Sequence, residues 1–292
     1  MIDPFLRYLE FEKRLSKHTL IAYKGDLLQF KSFLKETYET EDLTSANYGM
    51  VRSWIAQLVD EKNEPRSVNR KIATLRAFFK FLMRQGSLSK DPLLKIMVLK
   101  TQKRLPSFVR EEEMNQMLDH VVFEDSLEGH RDRLVMELFY GSGMRLAELL
   151  QLGDKSINFK NRTLKVLGKR NKERVIPFSE SLVQIIKRYQ QARDKVLVKS
   201  EHGLLIVTDN GKPAYRMMVQ RIVKKYLNTT SSDKKSPHVL RHTYATHLLN
   251  KGAEINAVKD LLGHSSLAAT QVYTHNTMEK LKKTFEQAHP KA

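Results

Sequence analysis

Four short stretches of this sequence carry side chains suited to chemistry on a phosphate. In GSGMRLAELLQL, Arg145 follows Gly141-Ser142-Gly143 at the start of a helix. Backbone amides there lack intrahelical acceptors, and the positive end of the helix dipole favours anions. A guanidinium at that place can meet two phosphate oxygens at once. Glu148 lies one turn on, within reach of Arg145 by an i, i+3 contact. Taken alone, an arginine at a helix start is equally a surface ion pair.

In LKVLGKRNKERVIP, two β segments flank a turn holding Lys169, Arg170, Lys172 and Arg174. A lysine at a hairpin tip can enter a groove and give a proton to a departing oxygen, although a basic turn by itself reads as solvated. In SPHVLRHTYATHLL, Pro237 suits the first turn of a helix, and His238 and Arg241 share a face at i, i+3. His238 and His242 have the i, i+4 spacing of metal ligands, but no carboxylate accompanies them and Arg241 stands between them, so no metal site is expected. His242 and His247 read as core histidines. In LLGHSSLAATQVYTHN, His264 follows a helix-ending glycine and Tyr273 lies beyond a further helical stretch. That tyrosine is either core or a nucleophile.

Arginines, a lysine, imidazoles and a tyrosine together are the parts for metal-free phosphoryl transfer through a phosphotyrosine. The arginines neutralise the phosphate, a histidine assists proton movement, the lysine protonates the leaving 5′-oxygen and the tyrosine oxygen attacks phosphorus. No Asp/Glu cluster suited to two magnesium ions accompanies them. No cofactor is expected.

The elements that must position these groups fall into two parts. The chain has 292 residues, 41% of them hydrophobic, enough for one large core or two ordinary ones. Lys and Arg number 51 against 33 Asp and Glu, a net charge of +18, which points to a polyanionic partner, nucleic acid before membrane surface. The sequence has no cysteine, which excludes disulfides, thiolate metal sites and cysteine nucleophiles and fits a reducing cytoplasm. No signal peptide is visible, and no apolar run is long enough to span a bilayer.

Residues 1–96 read as helices only. Ser16 is a cap for a helix with Leu20, Tyr23, Leu27, Phe30 and Leu34 on one face; Thr44 is a cap for a second with Met50, Trp54, Ile55 and Leu58. A third, 67–84, carries Val68, Ile72, Leu75, Phe78, Phe79 and Leu82 inward and ends at Gly86. Its other face holds Arg66, Arg70, Lys71, Arg76, Lys80 and Arg84, which we read as candidate phosphate contacts. The basic stretch 97–107 lacks helical periodicity and reads as a linker, with 108–292 as a second domain. There, helices precede three short β segments, and further helices follow. The expected fold class is α+β, mostly helical, with a small antiparallel sheet. Two basic domains on a basic linker suit a clamp on DNA.

The sequence resembles the tyrosine recombinase (phage integrase) family, and within it the bacterial Xer branch. The resemblance runs over essentially the whole chain. LSKHTLIAYKGDLLQF and RKIATLRAFFKFLMRQGSLSKDP look like the N-terminal SAM-like core-binding domain, and KRLPSFVREEEMNQML looks like the start of the catalytic domain. The four stretches quoted above look like its active-site boxes, in the family's order. The resemblance implies that Arg145, Lys169, His238, Arg241, His264 and Tyr273 are catalytic, with Tyr273 the nucleophile and Glu148 the partner of the first arginine. Arg170, Lys172 and Arg174 join the candidate DNA contacts. One departure stands out: the lysine turn usually reads Gly-Lys-Gly, and Arg170 replaces the second glycine. Asn171 is then the residue able to take a left-handed conformation, and Lys172 is a substitute for Lys169.

The resemblance further implies four protomers on paired duplex sites, of this chain alone or with a second Xer recombinase, and a DNA translocase of the division machinery as a further partner. It implies chromosome-dimer resolution in the cytoplasm, at the nucleoid, without metal or ATP. It also implies that the last helix, 277–288, with Met278, Leu281 and Phe285 on one face, docks into a neighbouring protomer. Three other readings share parts of this pattern. A phage or transposon integrase shares the fold, a type IB topoisomerase shares the chemistry, and a non-catalytic DNA-binding protein would keep the basic surface alone.

Overall fold

The computed structural model describes residues 1–102, 107–168, 173–196, 202–263 and 285–290. Lys169, Arg170, Lys172, His264, Tyr273 and most of the expected final helix therefore lie outside the described residues. The chain divides into two compact units, Met1–Arg104 and Leu105–Ala292.

The first unit is helical: α1 (Ile2–Arg7) runs into a π-turn at Tyr8–Glu12, followed by α2 (Lys17–Tyr38), α3 (Tyr48–Asp60) and α4 (Pro65–Arg84). The Ser16 side chain caps α2 by accepting from the Thr19 amide at 3.3 Å. Thr44 does not cap α3. It sits in a 3-10 turn, and Asn47, three residues on, accepts from the Met50 amide at 3.1 Å instead. Pro65 opens α4, and Gly86 follows its end at φ +70°, a left-handed position suited to glycine. The core gathers Phe5, Phe30, Trp54, Phe78 and Phe79, each almost wholly buried.

The basic face of α4 is partly spent inside this unit. Asp26 on α2 is buried and accepts from Thr74 at 2.8 Å, from Lys71 at 3.2 Å, and from Arg70. Lys71 also donates to Gln29, and its side chain is only 11% exposed. Arg76 donates to the Ile96 carbonyl at 2.5 Å. Lys71 and Arg76 are thus structural ties as well as cations, because a buried carboxylate and an unpaired carbonyl require them. Arg66 and Lys80 are exposed. The stretch expected as a free linker is likewise anchored at its start. Asn69 pairs with both main-chain groups of Leu99, at 2.8 and 2.9 Å, so the first unit extends past residue 96.

The second unit has α5 (Glu111–His120), α6 (Leu127–Ser142) and α7 (Leu146–Leu150), then the sheet, then α8 (Glu180–Val196), α9 (Arg216–Leu227), α10 (Pro237–Asn250) and α11 (Ile255–Leu262). Three glutamates occupy the first turn of α5, on the favourable side of its dipole. The antiparallel sheet has the order β1-β2-β3, with β1 (Ile157–Asn158), β2 (Thr163–Leu167) and β3 (Glu173–Pro177); Lys165 pairs with Val175 and Leu167 with Glu173. Helix α6 is buried around most of its surface and packs against α8, α9 and α10. At the far end of the chain, Phe285 and Ala288 are buried with Tyr244, Leu248, Leu261 and Leu262. This end of the stripe expected to dock on a neighbour is therefore satisfied within its own unit, where Phe285 stacks on His289 at 4.8 Å. Among the described residues no helix is long and apolar enough to cross a membrane.

Candidate active site

The site is assembled where four chain segments end or begin. Helix α6 stops at Gly143, whose φ of +59° suits the left-handed end of a helix and whose amide donates to the Phe139 carbonyl at 3.0 Å. Two residues later Arg145 stands at the N-cap of α7. Its amide donates to Glu148 Oε2 at 2.6 Å and its Nη1 to Glu148 Oε1 at 2.9 Å, the i, i+3 contact expected from the spacing. Its Nη2 donates to the Gly263 carbonyl at 3.2 Å, and the side chain is 35% exposed.

Arg241 projects from α10 and is buried. It donates to the Gly143 carbonyl at 2.5 Å and to the Leu262 carbonyl at 2.6 Å, joining the C-terminal ends of α6 and α11. His238 is exposed on the first turn of α10, one helical turn before Arg241. His242 is half-buried, and burial first, then the nearby His238, holds it below the usual histidine range. His247 is a core residue, with the Tyr140 hydroxyl at 2.9 Å from Nδ1 and the Val109 carbonyl at 2.9 Å from Nε2. Among the described residues there is no cluster of three or more potential metal ligands.

The expectation for Arg174 needs correction. It is not on a DNA-facing turn but buried on β3. Its Nη1 and Nη2 donate to the two oxygens of Glu148 at 2.5 and 2.9 Å, and its Nε to the Leu261 carbonyl at 3.1 Å. The sequence held a signal for this. In a strand, residues two apart share a face, so Arg174 lies on the side of Ile176, which is fully buried.

The electrostatics follow from this geometry. Two guanidiniums bond one carboxylate, and the charge of that carboxylate also acts on Arg241. Burial pushes Glu148 upward, but the hydrogen bonds and charge of Arg174, then the hydrogen bonds of Arg145, outweigh it and leave its pKa below the usual glutamate value. Arg241 is pulled down to about 9, first by burial and then by the charges of Arg145 and Arg174. Among the described residues, Arg145, Arg174 and Arg241 set three positive charges against the one carboxylate of Glu148. A guanidinium has five N–H donors. Among the described residues, Arg145 and Arg241 each commit two of these to the protein.

Comparisons with known proteins bear on the family of the chain. The model of the phage integrase family matches residues 107–280, and that of the phage integrase N-terminal SAM-like domain matches residues 2–86. The chain is 37% identical to a tyrosine recombinase XerC of Chlorobaculum parvum, over 100% of this chain and 94% of the relative. It is 39% identical to the XerC of Staphylococcus saprophyticus, over 99% and 97%, and 33% identical to the XerD of Staphylococcus haemolyticus, over 100% and 99%. In fold it is similar to XerH site-specific recombinase in a post-cleavage complex with palindromic difH substrate, with a TM-score of 0.73 at 20% identity over 97% of this chain and 83% of that one. The Tn1549 transposon integrase in complex with circular intermediate DNA gives 0.71 at 18% identity, over 95% and 97%. With both family models and full-length relatives in agreement, the chain belongs to the phage integrase family of tyrosine recombinases, which are DNA strand-transferring enzymes.

Proposed function

We propose that this chain is a site-specific recombinase that cleaves and rejoins duplex DNA through a 3′-phosphotyrosyl link and resolves chromosome dimers. The observation that carries the reading is the excess of positive charge at the meeting of α6, α7, α10 and α11. There Arg145 and Arg241, expected from the sequence to contact phosphate, stand with Arg174 near Glu148, and among the described residues each of the two uses two of its five N–H donors within the protein.

In this reading the Tyr273 oxygen attacks phosphorus, and the bond from phosphorus to the 5′-oxygen breaks. Arg145 and Arg241 neutralise the phosphate as charge builds on its equatorial oxygens. Lys169 gives its proton to the leaving 5′-oxygen, while His238 and His264 assist proton movement around the phosphate. The tyrosyl phosphodiester keeps the energy of the broken bond. A 5′-hydroxyl from the partner strand can therefore reverse the step with neither ATP nor a metal. Both units contribute phosphate contacts, with Arg66 and Lys80 among the exposed candidates on α4. Four protomers on two sites, of this chain alone or with a second Xer recombinase, complete the exchange. Relatives named both XerC and XerD support that pairing.

The test is covalent trapping on a nicked duplex carrying the host's chromosome-dimer resolution site. The wild type should give a protein–DNA adduct stable to denaturation, with chelator present, and Tyr273→Phe should bind DNA without forming it. An adduct from Tyr273→Phe, or loss of cleavage in chelator restored by magnesium, would overturn the mechanism.

A further inference from the structure

Arg174 has no part in the reaction just described, yet it is held fast within the protein. Its three guanidinium nitrogens all donate within the protein: two to the separate oxygens of Glu148 and the third to the Leu261 carbonyl. With its side chain 4% exposed, it is a poor phosphate ligand.

Its contact with Leu261 belongs to a larger pattern. Leu261, Leu262 and Gly263 are successive residues at the C-terminal end of α11, and their carbonyls accept from three different arginines. Leu261 receives Arg174 from β3, Leu262 receives Arg241 from α10, and Gly263 receives Arg145 from the start of α7. A helix end leaves its last carbonyls without intrahelical donors, and its dipole there favours cations. Gly263 closes the helix at φ +62°, and a Cβ on it would lie 2.9 Å from Cδ of Arg174. The chain end of α11 is thus pressed directly onto the Arg174 stem. The next residue in the sequence is His264.

We propose that Arg174 is a positioning residue for strand transfer, holding Glu148 and the end of α11 so that Arg145 and Arg241 keep their remaining donors aligned on the scissile phosphate. This rests on the recombinase reading above. Glu148 is clamped from two sides: Arg145 fixes it through its own helix, and Arg174 fixes it from the sheet. Because Arg174 neutralises the carboxylate from beneath, Arg145 need not be consumed by it. A lysine cannot replace this fork, since a single ammonium cannot span both carboxylate oxygens and a carbonyl beyond them.

The experiment compares Arg174→Gln, Arg174→Lys, Glu148→Gln and the Arg174→Gln/Glu148→Gln double variant, in the full chain, on the nicked duplex. Misplacing reactive groups by about an ångström lowers rates about 100-fold. Arg174→Gln should therefore cleave about 100-fold more slowly at saturating DNA, with affinity and its salt dependence unchanged. Arg174→Lys should fall between it and the wild type. The double variant should be no slower than the slower single variant, because both act through one ion pair. Two results overturn the proposal. One is a wild-type rate at saturation with weaker binding and a salt slope lower by about 0.9, which would make Arg174 a direct phosphate contact. The other is a double variant whose loss is the product of the single losses.

If thermal melting shows that Arg174→Gln does not fold, Arg174→Lys decides: cleavage at the wild-type rate sinks the idea, and slowed cleavage with unchanged binding supports it. If the wild type itself forms no adduct, the recombinase reading fails. Hydrogen exchange of residues 255–263 without DNA then judges Arg174 separately. Faster exchange in Arg174→Lys is expected, and unchanged exchange would overturn the tie.

Discussion

Tyr244 packs its ring so close to Gly143 that a Cβ on the glycine would lie 2.5 Å from Cδ1 of the tyrosine. Gly143 also holds φ +59°, and its carbonyl accepts from Arg241. One position therefore meets two demands, a left-handed backbone and a missing side chain, two residues before Arg145. Gly143→Ala should cost about 2 to 4 kcal/mol, from backbone strain and overpacking together. Its cleavage rate should fall further than the loss of folded protein explains, since both the end of α6 and the Arg241 contact must move. Urea unfolding and covalent trapping on the same preparations check this; unchanged values in both would show that the ring of Tyr244 swings aside freely.

The two arginines expected to touch phosphate should separate when stability is measured. Arg241 is buried and satisfies two carbonyls, whereas Arg145 is 35% exposed and shares Glu148 with Arg174. Arg241→Ala leaves the Gly143 and Leu262 carbonyls buried without that donor, at about 1 to 3 kcal/mol each. Arg145→Ala should cost about 1 kcal/mol or less, because Arg174 still holds the carboxylate. Both should abolish adduct formation. Equal losses of stability would contradict this division of roles.

Glu148 predicts a specific acid sensitivity. Despite its burial, the bonds and charge of Arg174 and the hydrogen bonds of Arg145 hold its pKa below the ordinary 4.5. A carboxylate depressed in the folded state contributes stability above its unfolded pKa and loses it as pH falls through the folded value. The stability gap between wild type and Glu148→Gln should therefore be at its full size at neutral pH and shrink as pH falls below 4.5. Urea midpoints of both proteins between neutrality and about pH 3 measure it. A gap that stays constant across that range would mean the carboxylate is not held by the arginines.

What could be read from the sequence followed from short-range rules. The 3.6-residue period exposed α2 and α4, Ser16 declared itself as a cap, and the i, i+3 spacing joined Arg145 to Glu148. The misreadings came where two local signals competed or a distant partner decided. Thr44 and Asn47 are both good caps, and the helix chose the second. Residues just past 96 looked unattached because nothing in their own pattern shows that the Asn69 amide will pair with Leu99. Arg174 was read by its charge and its basic neighbours, although the alternation of β3 already placed it inward. The three carbonyls at the end of α11 could not be seen at all. Main-chain acceptors carry no sequence signature, and three elements must pack before their arginines converge.

Tyr244 lies three residues after Arg241, close enough to the site to compete with Tyr273 for the role of nucleophile. The structure argues against it. Its ring is wholly buried, burial pushes its hydroxyl far above the usual tyrosine range, and among the described residues that hydroxyl has no hydrogen-bond partner. The charges of Arg174 and Arg241 act the other way but do not compensate. A phenol that cannot reach solvent, and whose ionised form is disfavoured, does not attack a phosphate in DNA. Its value lies in the ring, which packs in the small core with Leu248, Leu261 and Phe285. A buried hydroxyl without a partner carries a desolvation cost of about 1 to 3 kcal/mol, so removing it relieves that cost without opening a cavity. Tyr244→Phe should therefore be as stable as the wild type or more so, by up to about 1 kcal/mol, and should form the covalent adduct at the wild-type rate. Tyr244→Ala, by contrast, should lose about 3 to 5 kcal/mol through the cavity it leaves beside Gly143. Loss of the adduct in Tyr244→Phe, with its melting temperature unchanged, would place the hydroxyl in the reaction after all.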